Sequence, residues 1–375
     1  DRNLKENIQS ITNVLDNLKE IRPVSYDLKD NSTGNTKQQV LSVSENNNST
    51  ITAEGENRKK YGFIAQEIEE IFPNVVYTMP NGDHYKTIET VVDIWTFLGE
   101  KGATRHSVLI NVGGGVVTDL GGFVANTFKR GIRFINIPTT LLSMVDAAVG
   151  GKTGINFNGL KNEIGVINPA QAVVICPDFL RSLDTQNLLS GYAEMLKHGL
   201  LSSREEMERL SSFDINHPDY ELLANLIQTS IQVKANIVAQ DPHEKGIRKA
   251  LNLGHTIGHA FESYSHAIGK PILHGYAVAW GLIGELYLSH KLQGFPQDMM
   301  LETIRFIKEN YGVFPITCND YPALYEYMAH DKKNTAAGRV NFTLLKNVGN
   351  IIPDCIVEKE LIFQALDFYR DSVGI

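Results

Sequence analysis

An apolar run, His106–Val112, enters three consecutive glycines, Gly113–Gly115, and continues through Val116-Val117-Thr118-Asp119 into a helical pattern that lasts to Thr127. This feature constrains the fold more than any other. Strand, glycines and helix in that order let backbone N–H groups approach a phosphate at a helix N-terminus. The spacing is not the usual Gly-x-Gly-x-x-Gly, so a tight strand–helix turn without a ligand is the alternative. A second buried strand, Arg133–Ile137, ends at Pro138-Thr139-Thr140. A helix through Met144 then leads to Asp146 and a second glycine turn, Gly150–Gly154. Gly159–Gly165 reads as a loop carrying Lys161 and Asn162, and Ala172–Cys176 as another short strand. Buried strands alternating with helices imply a parallel sheet with crossover helices, the α/β class.

Beyond Phe179 the pattern is helical nearly to the end, with Glu221–Gln240 one long helix bearing Lys234 and His274–Leu292 a core helix. Asp331-Lys332-Lys333-Asn334 reads as a loop and Phe342–Leu345 as a late strand. Within this region Leu251–Glu262, if helical, puts His255 and His259 on one face, because side chains four apart stack. Neutral imidazole is a common ligand for zinc and similar ions. Glu194 and His274 flank the stretch in sequence, and Lys197, Arg248 and Asn252 are the kinds of group that hold anionic, hydroxylated substrates. The pattern reads as a metal site beside a substrate pocket. Two histidines at helical spacing also occur by chance. Asp146 has a second reading as a helix cap, and His198 and His266 read as structural or exposed. Lys129 and Lys249 read as surface charges, and His243 and Glu244 as solvated loop.

A chain of 375 residues suggests two or three domains. Its formal net charge of -8 argues against a general nucleic-acid binder. The 3 cysteines, Cys176, Cys318 and Cys355, are far apart and fit a reducing compartment, so a cytoplasmic location is expected. No apolar run approaches bilayer length, and the N-terminus is too polar for a signal peptide. The chain begins with Asp1, as a fragment or a processed product does.

The first residues have a different character. Ile8, Ile11, Leu15 and Leu18 share a helical face that Pro23 ends. Residues 30–58 are rich in Asn, Ser, Thr and Gly and read as a polar loop or exposed hairpin, with Leu41, Val43, Ile51 and Thr52 strand-like. Tyr61–Pro73 reads as a short helix with Ile64, Ile68, Ile71 and Phe72 inward. Three motifs, Asp1–Ile8, Arg22–Tyr26 and Gly62–Glu67, make residues 1–88 resemble the intramolecular chaperone (peptidase S74) domain of phage tail spikes and fibres. That resemblance implies trimeric assembly and self-cleavage between a Ser and the following Asp, with Lys5 as base. The Ser would precede Asp1, so self-cleavage by this chain is not expected, and Lys5 reads as a solvated lysine.

Residues 83–375 resemble the 3-dehydroquinate synthase family of sugar-phosphate cyclases. The matching stretches are Gly113–Asp119, Phe128–Gly131, Pro138–Leu142, Met144–Asp146, Gly150–Thr153, Lys161-Asn162, Ala193-Glu194 with Lys197, Val233–Ala235, Arg248 through His259, His274-Gly275 and Asp331–Lys333. The resemblance implies an NAD-binding α/β domain followed by a mostly helical metal domain, usually in a homodimer. The expected division is 1–82, 83–180 and 181–375. It implies conversion of 3-deoxy-D-arabino-heptulosonate 7-phosphate to 3-dehydroquinate and phosphate, in the shikimate pathway, with NAD and Zn2+ or Co2+. Glu194, His255 and His274 would hold the metal, and His259 would relay a proton or bind a substrate hydroxyl. Lys152, Lys197, Lys234, Arg248 and Asn252 would act on the substrate. Arg130, supplied in the family by the neighbouring subunit, and Asn162 would share its anionic groups, with one of Lys332 or Lys333 on the rest. Asp83, Lys86, Gly114, Gly115, Asp119, Thr139, Thr140, Asp146, Lys152 and Lys161 would hold NAD. The family carries further strands before the position of Asp83, and here the chaperone-like segment stands in their place. Losing strands from a parallel sheet exposes an edge, so weaker NAD binding is expected. Another sugar-phosphate cyclase, or a trimeric assembly module carrying an inert enzyme fragment, are the alternatives. No nucleic-acid or membrane partner is expected.

Overall fold

The structure, a computed structural model, describes residues 76–80, 82–158, 160–330 and 339–375 and the backbone of 24–26 and 60–62. The expectations for Lys5, for the faces at Ile8–Leu18 and Ile64–Phe72, for the polar stretch 30–58 and for Lys332 and Lys333 lie outside these residues. Strands β1 (Val24–Tyr26) and β2 (Lys60–Gly62) pair antiparallel, so Tyr61 lies in a strand and not at the helix start expected there.

Helix α1 (Ile88–Glu100) presents Val91, Ile94 and Leu98 inward at helical spacing. Strand β3 (Val108–Gly113) leads through Gly114 into α2 (Gly115–Thr127), and β4 (Arg133–Pro138) returns parallel to β3, from Val108 against Arg133 to Gly113 against Pro138. Leu120, Phe123 and Val124 of α2 pack against the inward face of α1. The glycines thus stand where the expected strand–helix turn places them. The helix expected through Met144 gives way to a π-helical segment, Ser143–Ala147, that carries Asp146. Such widened turns are frequent at functional sites.

Strands β5 (Lys152–Phe157) and β6 (Leu160–Ile167) form an antiparallel hairpin. Lys161 and Asn162 therefore sit on a strand, not in a loop. The glycines and polar residues that read as a loop reflect a close crossing. A Cβ on Gly165 would lie 2.2 Å from the Thr153 carbonyl oxygen. Strand β7 (Ala172–Val173) joins β4 in parallel and completes the sheet order β3-β4-β7. Among the described residues β3 pairs with β4 alone and its other edge is open.

The second half is helical. Helix α3 (Thr185–Ser202) is capped by Asp184, α4 (Arg204–Ser211) by Ser203 and α5 (Tyr220–Gln240) by Asp219. Each such side-chain cap contributes about 1 kcal/mol. A 3-10 segment, Ile247–Asn252, feeds α6 (His255–Ala267), followed by α7 (His274–Gln293), α8 (Gln297–Tyr311) and α9 (Tyr321–Ala329). Strand β8 (Val340–Asn347) contains the late strand read from sequence. It pairs antiparallel with β9 (Asn350–Val357), which the sequence did not reveal, and α10 (Lys359–Val373) ends the chain. Leu196, Phe261, Leu282, Phe295 and Leu366 belong to the one large core here. Each fully buried side chain of this size contributes about 1.5–3 kcal/mol. Helices α6 and α7 meet backbone to backbone, since a Cβ on Gly281 would lie 2.1 Å from the Gly254 carbonyl oxygen and 2.6 Å from Gly258 N. At the start of α7 a Cβ on Gly275 would lie 1.8 Å from the Ser190 carbonyl oxygen of α3. Among the described residues no helix is long and apolar enough to cross a membrane.

Candidate functional site

These glycine contacts bring three helices to one point. Glu194 is wholly buried on α3, His255 is the first residue of α6, and His274 is the first residue of α7. Glu194 Oε1 lies 3.3 Å from His255 Nε2 and 3.4 Å from His274 Nε2, yet makes no hydrogen bond. His259, one turn along α6, offers a nitrogen within 4.8 Å of those of His255 and His274. A carboxylate and imidazoles suit zinc or cobalt, and two ligand atoms about 2.0–2.1 Å from a tetrahedral ion lie about 3.3 Å apart. The orphaned oxygen and its two nitrogen neighbours meet that spacing, so the residues fit a divalent cation.

The surrounding groups fix the rings. His255 Nδ1 donates to the Leu253 carbonyl at 3.0 Å, which turns Nε2 inward as an acceptor. Burial, which the Glu194 carboxylate only partly offsets, keeps His255 neutral, with its pKa lowered to about 3. His274 Nδ1 lies 3.1 Å from Glu262 Oε2. Burial disfavours its charged form, but the Glu262 and Glu194 carboxylates outweigh this and raise its pKa to about 10. Burial also opposes ionisation of Glu194. The Lys197 ammonium bonded to it, with the His255 and His274 rings, holds its carboxyl well below the ordinary range.

Beside this cage Lys197 Nζ lies 3.8 Å from Asp146 Oδ1. Lys234 Nζ donates to the Asp146 carbonyl and Oδ1 at 2.5 and 2.6 Å, placing Asp146 between two ammonium groups. Lys152 and Asn252 both bind the carboxylate of Glu244, Asn252 at 3.1 Å. Glu244 is thus not the solvated loop residue expected. Its side chain is only 25% exposed, and it sits at φ 57, the left-handed region. Arg248, 2% exposed, donates to the Pro242 and Gly150 carbonyls at 2.6 and 2.9 Å, and so braces the second glycine turn.

The residues expected around a nucleotide fall into two groups. Thr139 N donates to the Gly113 carbonyl at 2.9 Å, and a Cβ on Gly114 would meet Thr140 Cγ2 at 3.1 Å, so both threonines face the glycine turn. The first N–H groups of α2 have no acceptor within the helix. The second group joins Lys86 Nζ to Asp119 Oδ2 and Asn162 Oδ1 at 2.6 and 2.5 Å, and Lys161 Nζ to Asp83 Oδ2 at 3.8 Å. Arg130 stands apart. It is exposed at φ 71 past the C-terminal end of α2, about 20 Å along that helix from Gly115.

Sequence reading missed two carboxylates. Glu262 backs His274, and its spacing of three and seven residues from His259 and His255 was the available signal. Glu285, wholly buried on α7, accepts from the N–H groups of Gly254, Thr256 and Ile257 at 2.7, 2.8 and 3.0 Å. Its only mark in the sequence is an acid within an apolar helix.

Comparison with known proteins matches three successive stretches of the chain. Residues 1–77 match the model described as chaperone of endosialidase. A 3-dehydroquinate synthase from Parabacteroides distasonis is 55% identical over 312 residues, covering 83% of this chain and 88% of the relative. One from Pyrococcus abyssi is 40% identical over 303 residues, covering 80% and 86%. Among solved structures, 2-deoxy-scyllo-inosose synthase complexed with carbaglucose-6-phosphate, NAD+ and Co2+ superposes with a TM-score of 0.72 at 24% identity, covering 81% of this chain and 86% of that one. The 2-epi-5-epi-valiolone synthase of Streptomyces hygroscopicus, with NAD+ and Zn2+ bound, gives 0.67 at 25% identity, covering 78% and 82%. Since the models for the N-terminal and C-terminal parts of 3-dehydroquinate synthase match residues 76–190 and 191–334 in succession, the chain belongs to the 3-dehydroquinate synthase family.

Proposed function

We infer that this chain is a 3-dehydroquinate synthase, converting 3-deoxy-D-arabino-heptulosonate 7-phosphate to 3-dehydroquinate and phosphate with NAD and a divalent cation. The observation that carries the reading is the buried Glu194 Oε1, without a hydrogen bond and facing two imidazole nitrogens, beside the paired ammonium groups of Lys197 and Lys234. When bound, NAD supplies removal and return of a hydride at a ring carbon, and the cation supplies polarisation of the oxygen on that carbon.

Glu194, His255 and His274 hold the cation. His259 moves a proton at a substrate hydroxyl. Lys152, Asn162 and Lys197, with Arg130 from a second copy, bind phosphate and carboxylate, and Lys234 and Asn252 bind the remaining hydroxyls. One of Lys332 and Lys333 contacts the substrate as well. Arg248 holds the Gly150 turn in place for Lys152. Gly114, Gly115, Thr139, Thr140 and Asp146 line the nicotinamide side of NAD, while Asp83, Lys86, Asp119 and Lys161 line its outer part.

Self-association is supported by apolar residues left exposed on and beside the β5–β6 hairpin. Phe157 is 42%, Leu160 55% and Ile167 45% exposed. The open edge of β3 supports weaker NAD binding than in the Parabacteroides distasonis relative, which calorimetry on the two proteins compares directly. The test of activity is phosphate release from the heptulosonate phosphate with NAD and Zn2+ or Co2+. Release that stops on chelation, and on Glu194→Gln, is expected. No release from protein that binds both NAD and Co2+ sinks the reading.

A further inference from the structure

Glu262 has a foot in both halves of the site. It lies two turns after His255 on α6, is 6% exposed, and its two oxygens face different partners. Oε2 takes His274 Nδ1 at 3.1 Å, and Oε1 takes Lys161 Nζ at 2.6 Å. A carboxylate behind a metal-binding imidazole sets the ring's tautomer and orientation and makes the other nitrogen a better donor. This one is also tied to β6. From Lys161 the contacts run to Asp83 and, through the neighbouring Asn162, to Lys86 and to Asp119 on α2, the helix that starts at the glycine turn.

We propose that Glu262 is a positioning residue that couples the cation cage to the nucleotide side, so that cation and NAD each bind more tightly when the other is present. This rests on the reading above of the Glu194–His255–His274 cage and of the Lys161 side. The physical reason is the shared carboxylate. A cation on His274 Nε2 leaves its Nδ1–H donating to Glu262, which fixes the angle of the carboxylate. The other oxygen then holds the ammonium of Lys161, a side chain otherwise 44% exposed, in one place beside the nucleotide. Binding of a nucleotide against Lys161 fixes the same carboxylate from the other end. Coupling free energies are reciprocal, so the two effects are equal.

The test uses the full chain stripped of metal. Co2+ is titrated by its visible absorption with and without NAD, and NAD is titrated by calorimetry with and without Co2+. In the unaltered chain NAD should tighten Co2+ binding, and Co2+ NAD binding, by about tenfold. In Glu262→Gln the amide oxygen still accepts from His274, but the charge facing Lys161 is gone. Co2+ affinity should fall about 10- to 100-fold with an altered visible spectrum, and the coupling should vanish. Lys161→Met cuts the outer link at an exposed position and leaves the cage intact. It lowers NAD affinity about tenfold more with Co2+ bound than without, so its coupling ratio, too, should collapse to one. Coupling that survives either substitution, or is absent from the unaltered chain, overturns the proposal. Failure of the unaltered chain to take up Co2+ or NAD at all overturns the functional reading and this proposal with it.

Discussion

Glu285→Gln tests how the cage is held. The three N–H groups it binds, at 2.7, 2.8 and 3.0 Å, belong to the start of α6, where a helix offers them no acceptor of its own. The carboxylate also faces the positive end of the helix dipole. In the variant the amide oxygen can replace Oε1 and serve Thr256 and Ile257, but as a neutral acceptor. A charge-assisted bond contributes about 1.5–3 kcal/mol and a neutral one about 0.5–1.5, so these two bonds lose about 1 kcal/mol each. The amide NH2 then faces the Gly254 N–H, donor against donor, and a stranded buried N–H costs about 1–3 kcal/mol. The sum is about 4 kcal/mol, near the top of the range for single substitutions. Guanidinium unfolding of the metal-free chain measures it directly. His255 is the first residue of the affected helix, so Co2+ affinity should fall as well. A loss of stability below about 1 kcal/mol with unchanged Co2+ affinity would refute the reasoning.

Further outcomes follow from other contacts. His198 is 1% exposed, with Nδ1 2.7 Å from Ser230 Oγ, and burial, reinforced by the Lys197 ammonium, lowers its pKa to about 3. The unfolded chain binds a proton there near pH 6.5 and the folded chain does not. Its contribution is therefore present above that pH and drains by about 1.4 kcal/mol per unit as pH falls toward 3. Urea unfolding between pH 7 and 4 should show His198→Asn losing less than the unaltered chain on acidification, and parallel profiles would contradict this. Glu244→Gln removes an internal carboxylate from Lys152, whose side chain is 55% exposed. Inorganic phosphate should then bind about threefold tighter, the scale of an exposed ion pair, and calorimetry showing no change would count against Lys152 as an anion group. Gly281→Ala forces a Cβ to within 2.1 Å of the Gly254 carbonyl oxygen. It should cost about 3 kcal/mol by thermal unfolding, and a neutral result would mean that the α6–α7 contact yields easily.

The sheet and the pairing of His255 with His259 on one helix were legible because their signals are local. Apolar strands running into glycines, and His255 with His259 one turn apart, need no knowledge of the rest of the chain. The β5–β6 hairpin was not legible, since its glycines serve a close strand crossing that looks like loop composition until the partner strand is known. Strand β9 carries Pro353 and Asp354, which break the alternation that marks a half-buried strand. Glu244 was misread as solvated, and Glu285 missed, for a common reason. Each is an acid whose partners lie elsewhere in the fold, Lys152 for one and the first turn of α6 for the other, and neither composition nor periodicity reports a tertiary partner.

The glycine contacts at Gly275 and Gly281 make the cage a ruler. Helices that touch through their backbones have no side chains to repack, so the distances of 3.3 and 3.4 Å from Glu194 Oε1 to the two rings cannot stretch without prising α3, α6 and α7 apart. Calcium favours about 6–8 oxygen ligands, whereas two of the three atoms held here are imidazole nitrogens, the donors that zinc takes in a four-coordinate site. The separation of the backbones that carry these three side chains is thus set by glycines that bear no ligand themselves.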